Sequence, residues 1–387
     1  MSAIAPPPAG RFALLDQKAV AWGQSLDAAL AEEMRQRGTR RLFIVTTRSL
    51  GQRAATLAKA QRGLEVVEIE DAIPAHTPMP SVFALAQRLA AFRTDLILAL
   101  GGGSVIDAVK IAGLVRAEGI VDRDALIARS MQKGGLPSTA RDPQRYIAAP
   151  TTLSGAEFGT IGGSVDPQTR IKFGFAAPWF PAETVIFDPA LGQATPEGLW
   201  LSSGVRAVDH AVEAILSPDA NPFIDGCALH ALRLLGTSLR ATKADPADLH
   251  ARQEGQFGVW LASQSVGRVR YGASHGIGHQ LGAVAGVAHG HTSCVMLPAV
   301  IAWNAGHVRG RDRLVHEAVD ASAPDAATAV ARLIADVGQP RRLSDVGVHE
   351  DQFERIADLA MSNPFVKANP RPISSPADVV AILRLAA

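Results

Sequence analysis

The chain has 387 residues, 47% of them apolar and 19% charged, enough for two globular domains and too apolar for a disordered chain. Lys and Arg number 38 against 37 Asp and Glu, a net charge of +1 with no basic cluster, which excludes an extended nucleic-acid surface. Two cysteines, Cys227 and Cys294, exclude a disulfide framework or a cysteine-rich zinc site, and no apolar run reaches the roughly 18 residues of a membrane span. The Ala/Pro-rich start, Met1 to Gly10, lacks the basic lead and apolar centre of a secretion signal, so a cytoplasmic protein is expected. From residue 40 to about 190, β-type runs alternate with helical patterns. Strands are expected at 41–46, 64–69 and 95–100, helices at 50–61, 81–92 and 105–114, and shorter strands at 145–149 and 184–187. Such alternation implies crossover connections and a parallel sheet. Beyond about 191 the texture is helical, at 199–216, 221–239, 248–266 and 351–361. The expected organisation is an α/β domain over 1–190 and an all-α domain over 191–387.

Gly101-Gly102-Gly103-Ser104 lies between an apolar strand and a helix start. Glycines there admit a ligand close to the backbone, and the helix N-terminus favours phosphate. Ser104 is expected as N-cap or phosphate donor, and Asp107 in the first helical turn. The run is not the GxGxxG fingerprint, so it points to a nucleotide by context alone. Ala149-Pro150-Thr151-Thr152-Leu153-Ser154-Gly155 follows a second short strand and is dense in hydroxyls and backbone donors. It reads as a second wall of one cofactor cleft or as a capped helix start.

Of 11 histidines, several crowd into one segment. His275 and His279 stand four apart, on one face of a helix, and His289 and His291 follow. His210 lies upstream on an otherwise apolar helical stretch. Clustered beside glycines, these side chains suit a metal or a proton-transfer site.

These clusters, in this order and ahead of a helical second half, resemble the iron-containing alcohol dehydrogenase superfamily, with its dehydroquinate synthase-like fold. The resemblance runs from about residue 40 to Asn369-Pro370-Arg371-Pro372. Ala75-His76-Thr77-Pro78 and the closing Asn-Pro-Arg-Pro look like the maleylacetate reductase branch, which uses NADH or NADPH in aromatic-compound catabolism (maleylacetate to 3-oxoadipate). The resemblance implies that Gly102, Gly103 and Ser104 hold the cofactor pyrophosphate, and Asp107 is counted among the cofactor-binding candidates. The resemblance places Thr151, Thr152 and Ser154 by the nicotinamide and Lys172 near a ribose, and it implies a homodimer. The family's metal-ligand histidines match His210, His275 and His289, and His279 matches a proton-relay histidine.

One position departs. The family aspartate four residues before His210 is Arg206 here, and a guanidinium has no lone pair for a metal. Asp209, one residue from His210, is rotated about 100° around the helix and is not expected to replace it. The expectation is a metal-independent NAD(P)H reductase of a small oxo-acid. Arg206, His210, His275 and His279 are its catalytic candidates, and Arg206, Arg268, Arg270 and His289 its substrate candidates. The alternative is a zinc or iron alcohol dehydrogenase for a small alcohol or aldehyde, with metal on His210, His275 and His289. A zinc lyase and a non-catalytic descendant are more distant readings. Thr47 and Arg48, with no acid in their turn, accommodate a 2′-phosphate and lean toward NADPH or dual use, so the cofactor is read as NAD(P)H.

Overall fold

The computed structural model describes residues 17–61, 63–140 and 143–387, so the start from Met1 to Gly10 lies outside it. The described chain divides into two compact units after Ala194. The first holds β1 (Ala19–Ala21), α1 (Leu26–Arg37), β2 (Arg41–Val45), α2 (Gly51–Ala60), β3 (Glu65–Glu70), α3 (Met79–Ala91), β4 (Leu96–Gly101) and α4 (Gly103–Glu118). It continues through α5 (Arg123–Ala128), β5 (Tyr146–Pro150), β6 (Ile161–Val165), β7 (Lys172–Ala176), β8 (Thr184–Ile186) and α6 (Pro189–Gly192).

Six strands pair in parallel in the order β1-β8-β5-β4-β2-β3. The central strand β4, Leu-Ile-Leu-Ala-Leu-Gly, is buried along its whole length because helices cover both faces of a parallel sheet. Edge strand β3 is instead mixed, Glu-Val-Val-Glu-Ile-Glu, and half-buried. Strands β6 and β7 form a separate antiparallel ribbon. That ribbon was not anticipated, since Gly162-Gly163 inside β6 weakens any strand pattern.

The second unit holds α7 (Glu197–Leu216), α8 (Pro222–Ala244), α9 (Leu249–Ala262), α10 (Ala273–Ala285) and α11 (His289–Asn304). It ends with α12 (Asp312–Val319), α13 (Ala326–Asp336), α14 (Phe353–Ala360), α15 (Pro364–Lys367) and α16 (Pro376–Leu385). Helix α7 is buried without a break from Trp200 to Leu216, packed by α8, α9, α11 and α12. A helix apolar on nearly every side belongs at the centre of a bundle. Among the described residues no helix is long and apolar enough to cross a membrane.

Candidate active site

Each unit carries one cluster of polar side chains. In the α/β unit the strand order reverses at β2: β3 lies on one side and β4 returns to the other. Open parallel sheets bind nucleotides at the carboxyl ends of strands flanking such a reversal. There β4 ends on Gly101, whose φ of 155° disfavours any side chain and where a Cβ would stand 2.7 Å from Val105 Cγ2. Helix α4 starts at Gly103 with Gly102 as its N-cap, leaving its first amides open to an anion.

The loop after β5 forms the facing wall. A Cβ on Gly102 would lie 3.0 Å from Thr152 Cγ2, and one on Gly103 would lie 3.1 Å from Ser154 Oγ. Thr152 Oγ1 and Ser154 Oγ are buried and lack a hydrogen-bond partner among the described residues. Orphaned hydroxyls against bare backbone make a cradle that fits a polar ligand of dinucleotide type.

Two expectations at this wall are corrected. Ser104 is not the N-cap; its Oγ accepts the His76 amide at 3.0 Å, while Thr77 Oγ1 donates to Ser104 O at 2.9 Å. His76 and Thr77, at φ 63° and 52°, hold this clamp in the left-handed region. Asp107 lies past the first turn of α4 and accepts Gly163 N from β6 at 3.1 Å instead of serving the helix dipole. Lys172 Nζ stands 3.9 Å from Asp107 Oδ2 with its side chain half-exposed, and it crosses β6 at Gly163, where a Cβ would collide with it. Thr47 caps the turn after β2 with its Oγ1 3.0 Å from Ser49 Oγ.

Beneath the second wall lies a fully buried lysine. Lys110 Nζ donates to the main-chain oxygens of Ala156, Gly159 and Ile161, the last two at 2.8 and 3.0 Å. Burial pulls its pKa down to about 8 and pushes that of neighbouring buried Glu157 up to about 7.

The second cluster grows from α7. Positions 206, 209, 210 and 213 share one face of this helix, and groups so sealed from water need partners. Arg206 Nη1 donates to Ser293 Oγ at 3.0 Å. Ser293 Oγ and Ser274 Oγ both donate to Asp209 Oδ2, at 2.6 and 2.9 Å. Arg206 Nη1 is itself 3.9 Å from that oxygen. Asp209 stands only about 60° around the helix from Arg206, three residues on. That small offset leaves it in the site as the counter-ion of Arg206, with its Oδ2 also 3.5 Å from His275 Nδ1.

Glu213 is a second member that the sequence reading missed. Its Oε1 accepts Ser274 N at 2.9 Å, its Oε2 accepts Gly272 N at 3.1 Å, and Oε2 shares a 2.7 Å hydrogen bond with His275 Nδ1. Residue 272 is glycine because a Cβ there would stand 2.7 Å from Asn369 Oδ1 and 3.1 Å from Glu213 Oε1. Asn369, from the Asn-Pro-Arg-Pro segment, accepts Ala273 N at 3.1 Å and so pins the start of α10, which carries His275 and His279.

The four histidines stack in two pairs. His210 lies over His275 with ring centroids 5.0 Å apart, and His279 over His289 at 5.9 Å. Burial first, then the Arg206 charge, pushes His210 and His275 well below the usual histidine range, so both are neutral at neutral pH. Burial raises Asp209 and Glu213 above the usual carboxylate range. Three buried atoms of this cluster have no hydrogen-bond partner among the described residues: Asp209 Oδ1, His210 Nδ1 and His275 Nε2.

Among the described residues, one set of three metal-type side chains brings its ligand atoms within 4.8 Å: Asp209, Glu213 and His275. The trio His210, His275 and His289, matched to the family ligands, does not gather in this way, its rings being drawn into the two stacks. Arg268 and Arg270 are held locally. Arg270 grips Asp219 through Nε and Nη2 at 2.7 and 2.6 Å on the surface, and Arg268 Nη1 donates to Gln264 Oε1 at 3.0 Å.

Residues 19–189 match the family model described as Iron-containing alcohol dehydrogenase, and residues 200–387 match the one described as Fe-containing alcohol dehydrogenase family, C-terminal. The chain is similar to the dehydrogenase FUM7 of Gibberella moniliformis, 33% identical over 95% of this chain and 96% of that protein. It is similar to the maleylacetate reductase of Pseudomonas sp. strain P51, 29% identical over 95% of each. It superposes on the crystal structure of maleylacetate reductase from Agrobacterium tumefaciens with a TM-score of 0.83 and 25% identity over 97% of each chain.

Proposed function

Since the chain belongs to the iron-containing alcohol dehydrogenase family and is an oxidoreductase of its maleylacetate reductase-like branch, we propose that it reduces a small oxo-acid, maleylacetate-like, without a metal. The reduced nicotinamide supplies the hydride. The observation that carries the reading is Arg206, a buried guanidinium set beside two neutral histidines. Its fixed charge stabilises the negative charge that develops on the substrate's carbonyl oxygen or enolate, the work a Lewis acid does elsewhere. A carboxylate of the substrate is its other natural partner. The orphaned nitrogens of His210 and His275 orient the substrate's polar groups, and His279 delivers the proton.

The donor set does not suit the iron that the family description implies. His275 Nδ1 and Glu213 Oε2, 2.7 Å apart, are spent on each other as a hydrogen bond, and the Arg206 guanidinium, 3.9 Å from Asp209 Oδ2, sets a fixed positive charge against a cation. Asp209, His210 and His275, which own the three orphaned atoms, do not offer three ligand atoms within 4.8 Å. In the cofactor cradle, Gly102 and Gly103 would hold the pyrophosphate on the α4 amides, and Thr151, Thr152 and Ser154 would line the nicotinamide side.

The test is oxidation of NADH and NADPH with maleylacetate by enzyme treated exhaustively with chelator. Full activity supports this reading. Activity that returns only with zinc or iron favours a metal-dependent alcohol dehydrogenase instead. No activity with this substrate, metal or not, moves the reading to another oxo-acid or aldehyde.

A further inference from the structure

We propose that Asp71 selects NADH over NADPH. The inference rests on the cofactor reading above and concerns the opposite end of the same crevice. The pyrophosphate loop follows β4 and the nicotinamide wall follows β5. A dinucleotide lying across the strand reversal therefore carries its adenosine ribose over β2 and β3. The turn after β2, Thr47-Arg48-Ser49-Leu50, holds no acid. The neighbouring strand provides one.

Val45 pairs with Glu70, and Thr46 N donates to Glu70 O at 2.7 Å, so Asp71 leaves β3 level with the turn after β2. Ile73 N then donates to Thr46 O at 3.3 Å and folds the following chain back against that turn. The Asp71 side chain, exposed, leans over the first residue of α2: a Cβ on Gly51 would stand 2.8 Å from Asp71 Oδ2. Gly51 has an ordinary helical φ of −55°, so its backbone needs no glycine. The missing side chain leaves room for the carboxylate.

A ribose with a free 2′-hydroxyl donates a hydrogen bond to a carboxylate placed there. A 2′-phosphate has no such donor and brings like charge against it. Arg48, exposed on the same turn, by itself favours the phosphate; Asp71 opposes it. The acid escapes a reading of the β2 turn because it arrives from a strand some 25 residues later, by register rather than by sequence proximity.

The experiment is a fluorescence titration of NADH and of NADPH into the full chain without substrate, for the native protein and for Asp71→Asn. The native protein is expected to bind NADH about tenfold more tightly than NADPH, and Asp71→Asn to narrow that ratio by about tenfold, mainly by improving NADPH. A native preference for NADPH, or a ratio unmoved by the substitution, overturns the role of Asp71 while the cofactor reading stands. If neither nucleotide binds, the proposal and the cofactor reading fall together. Because the side chain is exposed, a thermal melt of the variant matching the native one shows that any change is local.

Discussion

Arg206 is the residue on which the chemistry turns, and its environment dictates how it must be tested. Removing it alone strands Asp209, a buried carboxylate with its Oδ1 already unpaired, and loss of one partner of a buried ion pair costs roughly 3–5 kcal/mol. Arg206→Gln combined with Asp209→Asn keeps the charge balance. This double variant is expected to fold, to bind NADH as the native protein does, and to lose about 100-fold or more in kcat. Turnover near native would remove Arg206 from the mechanism.

Glu157 gives a pH signature in the other unit. Its pKa rises from 4.5 to about 7 through burial, so between those values the folded state keeps a proton that the unfolded chain has lost. Stability therefore falls as pH rises through that window, by about 3 kcal/mol in all. Glu157→Gln lacks this slope. Urea unfolding from pH 4.5 to 7.5 is expected to show the variant gaining on the native protein by that amount, and a constant difference would mean that Glu157 titrates as an ordinary surface acid. At this scale the sequence showed Arg206 and the histidines because their types are conspicuous. Asp209 and Glu213 were harder to see. An acid on a helix is commonly solvated, and only the apolar run on both sides of them marks α7 as buried all round.

Among elements, α10 presents His275 and His279 and depends on small residues to sit where it does. A Cβ on Gly276 would stand 2.6 Å from Val366 Cγ2 and 2.8 Å from Val366 N in α15, and a backbone atom cannot swing aside. Gly276→Ala is expected to cost about 1–3 kcal/mol by overpacking and to lower kcat by displacing His275. NADH affinity should stay unchanged, because the cradle lies in the other unit. Equal losses in nucleotide binding and in kcat would show instead a general loss of folded protein. Element legibility followed pattern strength. Strands β2 to β5 and helices α2, α3 and α4 were legible because apolar runs and glycine stops agree, whereas α5 was not expected. The short β1 has three residues, too few to show a period, while α1, with Ser25 as its cap and Leu26, Leu30 and Met34 inward, carried a signal that was there to be read.

For the whole molecule, the structure divides the described chain into two compact units after Ala194. What no single sequence displays is convergence: Ser274 and Ser293 come from separate stretches and meet on Asp209 of α7, the enclosed helix of its unit, while Asn369 comes from a third and pins Ala273 beside them. That central position has a consequence for how the enzyme fails. A helix enclosed on every side exchanges its amide hydrogens only when the unit around it opens, whereas the exposed turns at the ends of β2 and β3 open on their own. Deuterium uptake should thus be slowest along residues 200–216, and heat inactivation should follow the melting of the helical unit without an earlier partial step. The charged groups of α7 are locked in by the apolar packing that surrounds them, so the chemistry should persist until that unit melts and then be lost all at once.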